Sequence, residues 1–364
     1  MQHRTWQELN QDFLSRLRGL ARAGRHFATE VTAFQKGRLP FVRALRTGLS
    51  IAAGLIGLAV TGHFESAVIC AITTNLLTFV DQLGPLRERL WVLAVAALCF
   101  ASAGALGGAI AGNAPVVLLT AFAFASFAGL VHGSLPGVEL IPRNSLICLV
   151  IGAYLPQLGP PAVLGVACGA FLAIFGAYCE HRVRPNIYAP ALASAREVVT
   201  YQAPRFASLY GAAAVGGLAL GYFMDDIKPY WVTITTLVVM QPGRRANTLR
   251  ATQRFLGTMS GVVAVYLLTA ITGGAWRHGI LLVLAVATPF FWHLAFARNY
   301  AFGVAVLSFW ILVLLDLAMP PEAQTTALFM ARLVDTAIGC ALALVASLLI
   351  EEQTKYATAP GDSS

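Results

Sequence analysis

A chain of 364 residues that is 57% hydrophobic and only 12% charged, with a mean hydropathy of +0.70, is far more apolar than a soluble domain, in which about a quarter of the residues are charged. Its formal charge of +8 sits in short connectors between apolar runs, which is the pattern of membrane topology and sets nucleic acid aside as a partner. The composition excludes a soluble globular enzyme and defines an all-α polytopic membrane protein.

In residues 1–40, Trp6, Leu9, Phe13, Leu17 and Leu20 recur at helical spacing while Arg16, Arg18, Arg22 and Arg25 occupy other faces. This predicts a basic amphipathic helix lying on the cytoplasmic leaflet of the lipid bilayer; the alternative is a solvated tail helix. No continuous apolar core occurs there, so no signal peptide is expected. Pro40 punctuates the chain before the first span.

Apolar runs follow at 44–62, 64–80, 90–111, 115–132, 144–158 and 160–179, then at 206–223, 229–241, 255–273, 279–297, 299–318 and 327–350. They predict about twelve transmembrane helices, although 144–158 and 229–241 fall short of the roughly 20 residues a helix needs to cross the hydrocarbon core. With a cytoplasmic N-terminus, only Lys228 and Arg277 of the 25 Lys and Arg fall outside and Arg332 falls within the last span. That is a strong positive-inside pattern, and it places both termini in the cytoplasm.

Residues 43–72 align with 205–236: an Arg, then glycines, then an aromatic and an acidic residue at the outer end, then another apolar run. An even number of spans per half gives two parallel six-helix repeats with a pathway between them. The predicted organisation is a 1–40 segment, a first unit at 41–181, a linker at 182–204, a second unit at 205–350 and a tail at 351–364.

Catalytic signatures are lacking: there is no HExxH, no GxSxG and no Walker Gly-Lys-Ser/Thr. The six cysteines lie inside apolar runs without a CxxC, so neither a disulfide, a metal nor a cofactor is expected. His293 reads as a packed core histidine or a proton carrier.

The stretch from Lys228 to Leu268 concentrates the chemistry. Arg244, Arg245, Arg250 and Arg254 lie in it with no carboxylate between Asp226 and Asp316, which invites an anion. Arg250 and Arg254, at i and i+4, share a helical face able to offer guanidinium donors to a carboxylate, or simply anchor the topology. Arg332 and Asp335, at i and i+3 in the last apolar run, are either a structural ion pair or part of a substrate or proton path. Tyr230 and Trp231 read as an interfacial belt or an aromatic wall for a planar substrate. Thr235 offers a hydroxyl to a carboxylate or to its own helix. The stop at Gln241-Pro242-Gly243 is a discontinuous helix facing a cavity or a plain helix end.

The run YWVTITTLVVMQP, with Thr248, Arg250, Gln253, Arg254, Gly257, Thr258 and Gly261 in the pattern TxRxxQRxxGTxxG, and Arg332, Asp335 and Gly339 in MARLVDTAIGCALAL, resemble the fusaric acid resistance (FUSC) family. Relatives of that family include aromatic acid exporters and, more distantly, plant aluminium-activated malate transporters. The resemblance implies an inner-membrane efflux transporter for aromatic or other organic acids, moving an organic anion between two helical units. The alternative is a channel-like or structural envelope protein without carrier activity, working with a periplasmic adaptor. The first half departs from the pattern, with LGPPAVLGVACG at 158–169 where Arg and Asp would stand.

Overall fold

The computed structural model describes residues 24–37, 39–81, 84–133, 137–155, 159–184, 203–221, 223, 229–272, 276–318 and 325–349. Among these, all regular structure is helical. Helix α1 covers residues 24–32. It is followed by α2 (Phe41–Val60), α3 (Phe64–Val80), α4 (Leu86–Ala109), α5 (Ala114–Leu130), α6 (Leu140–Tyr154) and α7 (Gly159–Val183). The second half holds α8 (Ala203–Leu220), α9 (Pro229–Val239), α10 (Arg244–Ile271), α11 (Arg277–Ala287), α12 (Pro289–Arg298), α13 (Tyr300–Ala318) and α14 (Thr325–Leu348).

Local signals set the boundaries. Pro40 and Pro85 occupy the N-cap positions of α2 and α4, and the Asn113 side chain caps α5 by accepting from the Val116 N–H at 3.3 Å. Gly62 and Gly112, with φ of +82° and +81°, let the chain reverse after α2 and α4 at no cost in Cβ clash.

The predicted run 279–297 is a broken helix. Pro289 has no N–H to give to the Ala285 carbonyl, and α11 and α12 meet at 50°. The freed carbonyl accepts instead from the Trp310 indole N–H at 2.9 Å. The break is therefore satisfied by a buried side chain of α13 rather than by water.

Among the described residues, α2, α4, α7, α10, α13 and α14 are long and apolar enough to cross a bilayer, and the bent pair α11 and α12 makes seven. Other predicted runs are helical but shorter: α3 and α5 have 17 residues each, α6 has 15 and α9 has 11. The stop predicted at Gln241-Pro242-Gly243 separates α9 from α10.

In the first half α2 packs on α3 and α7, α3 on α7, α4 on α6 and α7, and α5 on α6. In the second half α8 packs on α9 and α14, α9 on α14, α10 on α13 and α14, and α11 and α12 on α13. The halves meet where α5 packs on α8 and where α11 and α12 pack on α2. Small residues allow the closest approaches: a Cβ on Gly169 would lie 2.7 Å from the Cys70 carbonyl oxygen and 2.8 Å from Thr73 Cβ.

Only the end of the N-terminal segment falls within the described residues. Residues 1–23 of the predicted surface helix lie outside the described residues, as do 185–202 of the predicted linker and the tail from 350. Residues 24–37 dock on the protein. The Asn299 amide donates to the carbonyls of Val31 and Ala33 at 2.9 Å each, and the Gln253 amide donates to Val31 at 3.3 Å. Gln35 and Arg298 exchange two further bonds, the Gln35 N–H donating at 2.7 Å and the Arg298 Nη1 at 3.0 Å. This strap ties α10, α12 and α13 together at the end of the bundle where their basic residues cluster.

Candidate anion site at the α9, α10 and α14 junction

Helix α9 is positioned by α14 through a glycine. A Cβ on Gly339 would lie 2.7 Å from both Thr235 Cβ and the Val232 carbonyl oxygen, so only hydrogen at that position lets the two backbones approach. The Thr236 hydroxyl donates to the Gly339 carbonyl at 3.2 Å and fixes the register. One turn back along α9 from Thr235, Trp231 meets Arg332, two turns back along α14 from Gly339, and the Arg332 guanidinium lies 3.9 Å from the centre of the indole ring. Tyr230 packs beside Trp231, ring centres 5.3 Å apart.

Helix α10 closes the third side. The Asn247 amide donates to the Ala343 carbonyl at 2.7 Å and the Cys340 thiol to the Ala251 carbonyl at 3.6 Å. That seam carries Arg254 into the charge neighbourhood of Arg332, together with Asp335 and Tyr230. Arg332 is 2% exposed, Arg254 5% and Asp335 0%. Nη1 and Nη2 of Arg332, Nε of Arg254 and the hydroxyl of Thr235 are buried without a hydrogen-bond partner among the described residues. Two guanidinium groups thus share a charge neighbourhood with one carboxylate, and the open donors of Arg332 lie against an aromatic face. Such a junction can receive one negative charge.

The remaining predicted residues lie elsewhere. Arg250 stacks at 3.8 Å on the Tyr300 ring. The expectation that the arginines of this stretch are unneutralised is corrected: Arg245 pairs with Glu30 of the strap, from a part of the chain far away in sequence. Arg244 donates to the Ser347 and Leu348 carbonyls at 3.3 and 2.8 Å, capping the C-terminal end of α14. Gln241 belongs to the turn before α10, where its N–H donates to Asn247 Oδ1 at 3.3 Å and its amide to the Met240 carbonyl at 3.0 Å. Burial holds the imidazole of His132 below its ordinary pKa, opposed by Glu139 and Gln241 and reinforced by Arg143.

A second charged centre was not foreseen. Asp335 is not alone among acids buried in the helical bundle, because Asp81 at the end of α3 and Glu180 within α7 are buried too. Arg89 grips Asp81 side-on, Nε to Oδ1 at 2.9 Å and Nη2 to Oδ2 at 2.7 Å, and also reaches Glu180 Oε2 at 2.7 Å. Arg46 Nη1 donates to Glu180 Oε2 at 2.7 Å and to Asp81 Oδ2. Glu180 lies one residue past the predicted run 160–179, where polar residues begin, and α7 extends through it to Val183. The readable signal was Asp81 and Glu180 at the helix ends on the side where arginines concentrate.

His293 is buried as a packed histidine, its ring centre 5.3 Å from that of Phe79. All six cysteines are free, and among the described residues no group of three or more His, Cys, Asp or Glu is placed to hold a metal.

Residues 212–346 match the family described as fusaric acid resistance protein-like, a range that contains every residue of the junction. An uncharacterized protein of Haemophilus influenzae is 30% identical over 159 residues, 43% of this chain and 21% of its own length. The inner membrane protein YccS of Escherichia coli is 31% identical over 148 residues, 39% of this chain and 20% of its own. The uncharacterized protein ORF2 of Neisseria gonorrhoeae is 31% identical over 129 residues, 35% of this chain and 30% of its own. The chain thus spans less than a third of the length of these curated relatives. No solved structure matches it.

Proposed function

We propose, for a chain whose residues 212–346 belong to the fusaric acid resistance protein-like family, that it is an inner-membrane transporter exporting aromatic or other organic acids. The observation that carries this reading is the buried excess of one positive charge at Arg254, Arg332 and Asp335, with Arg332 donors open beneath an aromatic wall. An uncompensated cation in an apolar bundle costs several kcal/mol, and a bound carboxylate offsets that cost. Trp231 and Tyr230 then give a planar ring a surface to lie on.

The proposed architecture is about twelve spans in two parallel units of six, with both termini cytoplasmic. Supporting it, helices pair in the same order in both halves, and each half's fourth helix packs on the other's first. The same bond recurs too: Thr74 donates to the Gly169 carbonyl at 3.2 Å, as Thr236 does to Gly339. The cytoplasmic assignment rests on the basic end that carries Arg46, Arg89, Arg143, Arg205 and Arg244. The path runs between the units, where α9 packs on α6.

The test is uptake of aromatic carboxylates into inverted membrane vesicles carrying the full chain. Saturable uptake supports the carrier. Uptake that never saturates and ignores the proton gradient supports a channel instead, and no uptake contradicts both.

A further inference from the structure

We infer that the charged centre of the first half is a binding site for a small planar oxyanion carrying one negative charge, such as a free monocarboxylate or nitrate, seated on the side edge of Arg46. A guanidinium group offers Nε–H and Nη2–H as a parallel pair that matches two oxygens of a carboxylate. Arg89 uses that edge in full, on the two oxygens of Asp81 at 2.9 and 2.7 Å. Arg46 does not. Its Nη1 alone serves both Asp81 and Glu180, while Nε and Nη2 are buried without a hydrogen-bond partner among the described residues.

Arg46 is 7% exposed, so these donors are cut off from bulk water. Leaving a charged donor pair unsatisfied in such a place is costly. Packing holds the side chain there: a Cβ on Gly176 of α7 would lie 3.1 Å from Arg46 Cγ and 2.7 Å from Ser50 Oγ, so glycine leaves room for the arginine stem along α7.

Charge points the same way. Arg43 lies in the same electrostatic neighbourhood as Asp81, Arg46, Glu180 and Arg89. Arg46 and Arg89 pair with the two carboxylates, and Arg43 adds a third positive charge to that neighbourhood. One monoanion with two coplanar oxygens supplies both the missing charge and the missing acceptors. Chloride supplies the charge without the paired acceptors, and a dianion overshoots. An occupied site neutralises the ion cluster that joins α2, α3, α4 and α7. It shares no residue with the Arg254 and Arg332 junction.

The experiment uses the purified full chain in detergent, with thermal unfolding followed as sodium acetate or nitrate replaces sodium chloride at constant ionic strength and pH. The wild type is expected to gain about 2 °C in Tm at ten times the dissociation constant and to go on rising with the logarithm of the anion concentration. Arg46→Lys keeps the charge but lacks the paired edge and should lose the gain. In an Arg332→Ala background, Arg46→Lys should still remove the gain that remains, which separates this site from the transport reading. An equal gain in Arg46→Lys overturns the inference. If Arg46→Lys does not fold, the wild type decides: indistinguishable acetate, nitrate and chloride curves, or density for water alone at Arg46 in a structure determined in nitrate, overturn it.

Discussion

The Arg332 guanidinium lies 3.9 Å from the centre of the Trp231 ring, so a buried cation of α14 rests on an aromatic face of α9 with its two terminal nitrogens open. The ring attracts the cation without occupying a hydrogen-bond donor. Those donors remain available to an anion. A desolvated cation–π contact is worth about 2 kcal/mol, so Trp231→Leu should weaken apparent anion affinity by roughly tenfold or more while the protein still inserts. Trp231→Phe should lose less. Substrate titration of transport in vesicles checks the order; equal affinity in Trp231→Leu would remove the ring from the site.

The α9 and α14 contact is sized for hydrogen. Gly339→Ala places a methyl 2.7 Å from Thr235 Cβ and the Val232 oxygen, and Gly169→Ala does the same against Thr73 and Cys70. Overpacking of this kind costs about 1–3 kcal/mol. Both variants should melt several degrees below wild type in detergent. An unchanged melting temperature in both would show that the helices part easily at these positions.

The strap is held mostly through its backbone, by side chains of Asn299, Gln253 and Arg298. Removing the two bonds of Asn299 with Asn299→Ala costs about 1–3 kcal/mol locally. Limited proteolysis of right-side-out and inverted vesicles reads the result. Cleavage near residues 33–38 should become several-fold faster in the variant. It should occur only in the orientation that exposes the basic end.

His132 supplies a pH signature outside the helices. Burial holds its folded pKa below the unfolded value of about 6.5. Between those two values the unfolded chain binds more protons, so stability must fall as pH drops through 6.5 and recover as it rises. Melting of the wild type should decline between about pH 7 and 5.5 more steeply than that of His132→Gln. Parallel profiles would show that His132 does not contribute.

Much of this arrangement was readable from residue order. Apolar runs became helices, and Gln241-Pro242-Gly243 ends α9 because proline and glycine cannot continue it. Arg332 and Asp335 stood out because charges are rare in apolar runs, and the helix packing brings Arg254, Trp231 and Thr235 toward them. Other features depend on distances across the bundle. Asp81 and Glu180 sit at helix ends where acids are ordinarily solvated; only the fold turns both toward Arg46 and Arg89. The pairing of Arg245 with Glu30 spans most of the chain, and no local pattern announces it. Pro289 did signal the break between α11 and α12, but its run was long enough to pass for one continuous span.

The central claim is that the buried cation excess at Arg254 and Arg332 receives the transported anion. Uptake of an aromatic carboxylate by inverted vesicles carrying equal amounts of wild-type, Arg254→Ala or Arg332→Ala protein tests it most directly. The account predicts saturable uptake by wild type and a loss of at least tenfold in either variant, with membrane insertion intact. Full uptake by both variants would contradict it.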